Sequence, residues 1–352
     1  MRYLKNNSFH RFSRILCALL FVTATAASFN AHAATQKLYC FVCRDSIKQG
    51  ARFIKMDGKT FCSKQCVNKY IETKLPKCSV CRKPAKGECF KSGDKIYCSK
   101  KCLSTTFPMC IICGKKASGG SFFNGDKRNF VCPGCANKPR CCSCLLPCAD
   151  YRVLDDGRHL CSKCNETAVF DNEEASPVFK EVRAIMKKEL GIYTGHHVPF
   201  TLADENTLKS CSNNDPSTGQ EQGVFIFKTS IEQTVTDKGE IVKSVVKEKT
   251  YSIIALYGLS RKKLAEVMAH ELAHDWMQEN YPDISDLKVK EGWAEFIAGR
   301  FNSALGNESF NVRMDYNPNP VYGDGYRLFR DLYKKGGMRS VILYLDQAKP
   351  QQ

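Results

Sequence analysis

With 352 residues, 43% of them hydrophobic, the chain is compatible with an ordinary buried core for one larger domain and has length to spare for smaller modules. The formal charge of +17 invites a nucleic-acid reading, but it counts the 21 cysteines as neutral. If most of them are thiolates on zinc, much of the excess is offset, leaving a modestly basic surface that suits acidic partners or anionic envelope surfaces and is weak support for DNA or RNA binding. All the cysteines except Cys211 precede residue 165, so a cysteine-rich first part is followed by a nearly cysteine-free second part.

In chain order, Arg2, Lys5, Arg11 and Arg14 precede an apolar run from Ile15 to about Phe29 and then Ala31-His32-Ala33. This pattern predicts an export signal over residues 1–33, cleaved after Ala33; a retained anchor is the alternative, although the run is short for a span. No later stretch is apolar and long enough to cross a bilayer. The expected location is periplasmic or secreted.

Next come four repeats of one unit: Cys40, Cys43, Cys62 and Cys66; Cys78, Cys81, Cys98 and Cys102; Cys110, Cys113, Cys132 and Cys135; Cys141, Cys144, Cys161 and Cys164. Between the pairs, Asp57-Gly58-Lys59, Gly93-Asp94-Lys95, Gly125-Asp126-Lys127 and Asp156-Gly157-Arg158 predict tight hairpin turns that fold the second pair back beside the first. Four thiolates satisfy Zn²⁺ fully, so structural zinc is expected in modules over residues 34–70, 71–105, 106–138 and 139–170. A disulfide framework competes, given an exported chain. Cys89, Cys142, Cys148 and Cys211 fall outside this four-cysteine scheme, and Cys148 is the alternative ligand in the fourth module. The organisation resembles LIM domains, with only cysteine at the assigned ligand positions. Such modules present a rigid surface to partner proteins. No module carries the Cys2His2 helix signature of nucleic-acid-binding fingers.

The remainder, residues 175–352, reads as one domain. Ser176-Pro177 predicts a helix start, with the helix running to about Leu190. Val198–Leu202, Val224–Thr229, Glu240–Lys247 and Lys249–Leu256 predict a small, mostly antiparallel sheet, with Asp237-Lys238-Gly239 as a hairpin turn. Ser260 is the expected cap of a helix to about Glu279, which holds His270-Glu271-Leu272-Ala273-His274. On a helix the two histidines share one face, so both can bind one zinc, with Glu271 as general base toward the attacking water; two surface histidines are the bland alternative. A second helix, from about Leu287 to Ala304, contains Glu291-Gly292-Trp293-Ala294-Glu295. This pattern resembles the Glu-Gly-x-Ala-Glu helix of gluzincin peptidases. The resemblance implies Glu291 as third zinc ligand and Glu295 as a carboxylate orienting a ligand histidine; it also places an extended substrate on the strand Tyr251–Leu256. Tyr322 and Tyr326 are candidates to stabilise the oxyanion, with Arg327 an alternative and a buried structural tyrosine equally compatible.

Together the halves resemble the LIM-domain zinc peptidases that restrict organ size in plants. The matches run from Lys138-Pro139-Arg140-Cys141-Cys142-Ser143-Cys144 through Leu154-Asp155-Asp156-Gly157-Arg158-His159-Leu160-Cys161 and Ala255-Leu256-Tyr257-Gly258-Leu259. They continue to the His-Glu motif, Glu291-Gly292 and Tyr322-Gly323-Asp324-Gly325. In that family the LIM-like part precedes a peptidase that cleaves regulatory proteins under ubiquitin control. No acidic helix resembling a ubiquitin-interacting motif is seen before the modules, so neither that control nor the plant substrates are carried over. The expectation is an α+β protein: zinc-ribbon or LIM-like hairpin modules and a gluzincin-like metallopeptidase, with one catalytic and four structural Zn²⁺. A silent protein-binding scaffold is the alternative, and a latent enzyme covered by its own modules is a third.

Overall fold

The computed structural model describes residues 37–211, 221–235 and 241–350. The expected export signal and the Asp237-Lys238-Gly239 turn lie outside the described residues. The fold is α+β, and the chain divides into two compact units: one runs to Pro108 and includes Lys116–Ser118, and the other holds Met109–Lys115 and everything from Gly119 onward.

The first unit holds two of the cysteine modules. One comprises β1 (Ile54–Met56), β2 (Lys59–Phe61) and α1 (Lys64–Lys74); the other has β3 (Phe90–Ser92), β4 (Lys95–Tyr97) and α2 (Lys100–Ser104). Asp57 and Gly58 both have positive φ, 50° and 70°, as a type I′ hairpin requires, while Gly93 alone, at 56°, opens the second turn. Phe61 and Tyr70 pack with Cys40 and Cys66 into a small core. These cores are too small to stand without a further tie.

In the second unit the next two modules follow the same plan with looser hairpins: β5 (Ser121–Phe122), β6 (Phe130–Val131) and α3 (Pro133–Ala136), then β7 (Tyr151–Val153), β8 (His159–Cys161) and α4 (Ser162–Asn165). Residues 123–129 and 154–158 connect the strands, so the tight turn expected in all four repeats is found only in the first two. β9 (Ala168–Val169) then pairs with β13 (Leu259–Ser260), stitching the fourth module to the domain that follows.

α5 spans Asn172–Ile185, starting four residues before Ser176. Asp171 is the cap, its carboxylate accepting from the Glu174 amide at 2.9 Å, and Glu174 reaches back to the Phe170 amide at 3.1 Å. This reciprocal pair satisfies orphan N–H groups that Ser176 would have met only a turn later, so Pro177 lies inside the helix. A π-helical turn, Met186–Leu190, ends at Gly191, whose φ of 71° is left-handed.

The sheet contains β10 (Phe200–Ala203), β11 (Gly223–Val235) and β12 (Ile241–Leu256) in the order β10-β12-β11, with α6 (Glu205–Cys211) between the first two in sequence. β12 unites the two segments expected as separate strands. It pairs in parallel with β10 and antiparallel with β11. β12 is therefore central, and the expectation that Tyr251–Leu256 forms the substrate edge is corrected: β11 is the terminal strand on the cleft side.

α7 (Arg261–Asn280) packs on the sheet, α8 (Leu287–Ala304) packs on α7, and α9 (Asn311–Asp315) and α10 (Tyr322–Gln347) pack on α8, the last broken at Gly336-Gly337. α7 is buried along most of its length, as a central core helix should be. Trp293 on α8 is fully buried, donates its indole N–H to the Ala273 carbonyl at 3.1 Å and stacks on Trp276 at 4.7 Å. α8 crosses the start of α10 at two glycines. A Cβ on Gly292 would fall 2.5 Å from the Gly325 Cα, so only glycine permits this approach.

Candidate metal centres and cleft

In each module the first Cys-x2-Cys pair is held by one turn. The residue after the second cysteine has φ near 65° in every case: Arg44, Arg82, Gly114 and Leu145. Its amide donates to the carbonyl of the first cysteine at 2.9–3.0 Å. The second pair is set by a helix start. Ser63 and Ser99 are N-caps that accept from the Cys66 and Cys102 amides; in the later modules Cys132 and Cys161 are themselves the caps. The fourth cysteine therefore always stands three residues after the cap, which explains x3 spacing in two modules and x2 in the others.

The four sulfurs of each set lie within 4.8 Å of one another. Neighbouring pairs are 3.6 Å apart for Cys43–Cys62, 3.5 Å for Cys81–Cys98, 3.9 Å for Cys113–Cys132 and 4.0 Å for Cys144–Cys161. A tetrahedron with Zn–S bonds of about 2.3 Å has edges of about 3.8 Å, whereas a disulfide brings its sulfurs to about 2.05 Å. These separations suit zinc binding and not disulfides, and Cys141 and Cys144 share one cluster with Cys161 and Cys164. Burial alone would raise the Cys40, Cys78 and Cys110 thiols; backbone N–H groups aimed at them outweigh it and hold each at about 6, which favours the thiolate a metal needs. Cys148 donates instead to the Pro139 carbonyl at 3.3 Å.

On α7, His270 and His274 face Glu291 of α8. Their Nε2 atoms are 3.1 Å apart, and each is 3.4 Å from Glu291 Oε2. With metal bonds of about 2.0 to 2.1 Å, tetrahedral ligands are separated by about 3.3 Å, so the three atoms fit one face of a zinc tetrahedron and leave the fourth position toward the cavity. Glu295 Oε1 is 3.9 Å from His270 Nδ1, opposite the metal-facing nitrogen and beyond hydrogen-bond range. The environment separates the carboxyl groups. Burial pushes Glu271 and Glu295 upward, whereas the two histidines outweigh burial at Glu291 and hold it well below the usual range.

These groups line one cavity of about 840 Å³. Its walls include Gly223–Lys228 of β11, the inner face of α7 and Tyr322. A Cβ on Gly223 would lie 2.8 Å from Glu271 Oε1, so the missing side chain brings the strand edge against that carboxylate. Burial, reinforced by surrounding carboxylates, raises the Tyr322 hydroxyl far above its ordinary range and keeps it a proton donor. The other oxyanion candidates are not brought to this wall. Tyr326 is buried beside Gly299, and the Arg327 guanidinium is taken up by the Asp315 and Asn317 carbonyls and by Asp324.

The fourth module also reaches the cavity, through Leu145. Ser143, 2% exposed, accepts from the Ser260 amide at 3.1 Å and donates to its hydroxyl at 3.0 Å, so the expected cap of α7 is tied to the zinc knuckle and makes no cap bond of its own. Gln222, at the start of the cleft strand, donates to the Cys142 carbonyl. Arg158 donates to the Tyr257 carbonyl at 2.9 Å, and a Cβ on Gly258 would strike Leu154. Two stretches far apart in sequence thus form one contact.

No family model matches the chain. It is 26% identical over 264 residues to protein DA1-related 1 of Arabidopsis thaliana, covering 58% of this chain and 46% of that protein. Protein DA1 of the same plant is 27% identical, with 59% and 48% covered, and the LIM domain-containing protein HDR3 of Oryza sativa subsp. japonica is 26% identical, with 46% and 36% covered. The chain spans less than half the length of these curated relatives.

Proposed function

We propose that the protein is an exported zinc metallopeptidase of gluzincin type, cutting protein or peptide substrates, with LIM-like modules that bind a partner or substrate. The convergence of His270, His274 and Glu291 donor atoms at 3.1–3.4 Å, beside Glu271 and beneath a terminal strand, carries this reading. Zinc bound there would supply Lewis acidity and lower the pKa of water. The residues do the rest. An extended substrate pairs with β11 near Gly223 and is held in register by main-chain bonds. Glu271 takes the proton of the attacking water and delivers it to the leaving amine. Tyr322 donates to the carbonyl oxygen as charge develops on it. Glu295 fixes the His270 ring by closing onto Nδ1.

The export part rests on residues 1–33 and predicts a mature chain beginning after Ala33. No helix among the described residues is long and apolar enough to cross a membrane. The peptidase part is tested by incubating zinc-loaded wild type and Glu271→Gln with a proteome-derived peptide library. Cleavage by wild type alone is expected, with a loss for the variant of roughly 10²-fold or more. Cleavage by neither leaves the scaffold reading, and equal cleavage removes Glu271 from its role.

A further inference from the structure

We infer that the cleft carries a carboxylate-binding subsite, built from Arg313 of α9 and Lys263 of α7, that selects substrates with an acidic group two or three residues from the cut bond. This rests on the peptidase reading and names the substrate class of that same site.

The cavity extends along α7 well past the metal-binding face, to Lys263, Glu266 and Arg313. Lys263 precedes His270 by seven residues, two turns on the same face, which places it about 10 Å along the axis. An extended peptide covers that distance in about three residues. Glu266, 2% exposed, accepts from Lys263 Nζ at 2.6 Å and from Arg313 Nη2 on the same oxygen, while its other oxygen accepts from Asn302 at 2.9 Å. Glu266 thus has both oxygens engaged, and Glu295 on the same cavity wall adds a second carboxylate near Lys263, leaving Arg313 with a single partner among the described residues.

Arg313 and Lys263 repel one another at this end of the cavity, and a ligand carboxylate set against Arg313 would offset that repulsion. Burial, and then the Arg313 charge, hold Lys263 well below its usual range, and burial brings Arg313 down to about 10. Among the described residues Arg313 makes no side-chain bond beyond the one Nη2 contact, and its side chain is 23% exposed on the cavity wall. The remaining fork is a bidentate site for a carboxylate. The carboxylate can be an internal Asp or Glu side chain or the peptide's own C-terminus.

The test uses the full zinc-loaded chain and labelled decapeptides that carry Glu or Gln at each position in turn, with free or amidated C-termini. Binding to Glu271→Gln is read by anisotropy, and cleavage by wild type is read in parallel. Glu at one or two adjacent positions should bind at least about tenfold more tightly than Gln. Preference confined to free termini would identify the C-terminal carboxylate instead. Arg313→Met should abolish the preference while leaving the Gln peptides nearly unchanged, and Arg313→Lys should retain part of it. Zinc content and far-UV circular dichroism check folding, with Lys263→Gln as the second variant should Arg313→Met fail to fold. No difference between Glu and Gln or between acid and amide overturns the subsite, as does an equal loss on both peptides in the variant. Preference without cleavage by wild type would keep the subsite and sink the peptidase.

Discussion

Gly223 faces Glu271 so closely that the proposed base depends on an absence. A methyl group there would meet Val267 Cγ1 at 2.5 Å and Glu271 Oε1 at 2.8 Å, both ends of side chains that can turn aside. Gly223→Ala should therefore cost little stability yet displace the carboxylate, lowering kcat/KM about tenfold or more at unchanged zinc content. Leu145 shows the opposite economy. It holds a left-handed φ of 63° that its counterpart Gly114 adopts freely, at a cost of about 1 kcal/mol, and its side chain lines the cavity. Leu145→Gly is expected to leave Tm unchanged or raise it while raising KM. A lower Tm with unchanged KM would remove Leu145 from the cleft wall. The His270–His274 pair was legible from spacing alone because a helix repeats every 3.6 residues. Tyr322 could not be separated from Tyr326 that way, since only packing turns one toward the cavity and the other toward Gly299.

Helices α7, α8 and α10 make the site rigid through contacts that tolerate no added atoms. At Gly292 the neighbour is the Gly325 backbone, which cannot rotate away. Gly292→Ala should destabilise by about 1–3 kcal/mol in urea unfolding and also weaken zinc at the histidine site, because Glu291 moves with the helix. The fourth module acts on the same elements. Its knuckle holds Ser260 at the head of α7 and Gln222 at the head of β11, so Cys144→Ser should lose one zinc and reduce peptide turnover more than tenfold. The equivalent Cys43→Ser lies in the other compact unit and is the matched comparison. Equal effects of the two substitutions would show that the fourth module has no special hold on the cleft. The Asp171–Glu174 capping pair was present in the sequence as Asp-x-x-Glu, but Pro177 is the louder local signal and shifts the expected start by a turn.

Among the described residues, four four-cysteine clusters and the His-His-Glu group predict about five zinc ions per molecule if the proposed site is filled. Metal analysis should find that number, and mild chelation should remove one ion first, since three ligands with an open position hold metal less fully than four thiolates. A content near one, with few titratable thiols, would mean a disulfide framework. The repeat of the modules, the thiolate count and the helical His-Glu motif were all readable from residue order, because each depends on spacings of two to four residues or on a hairpin that returns the chain to itself. Tertiary structure decided what local spacing cannot carry: that β12 is central and β11 the cleft edge, that the zinc knuckle at Ser143 anchors α7 across 117 residues, and that Arg313 meets Lys263 across Glu266. Contacts between distant segments leave no periodic trace in a chain. They exist only once burial has chosen which faces meet.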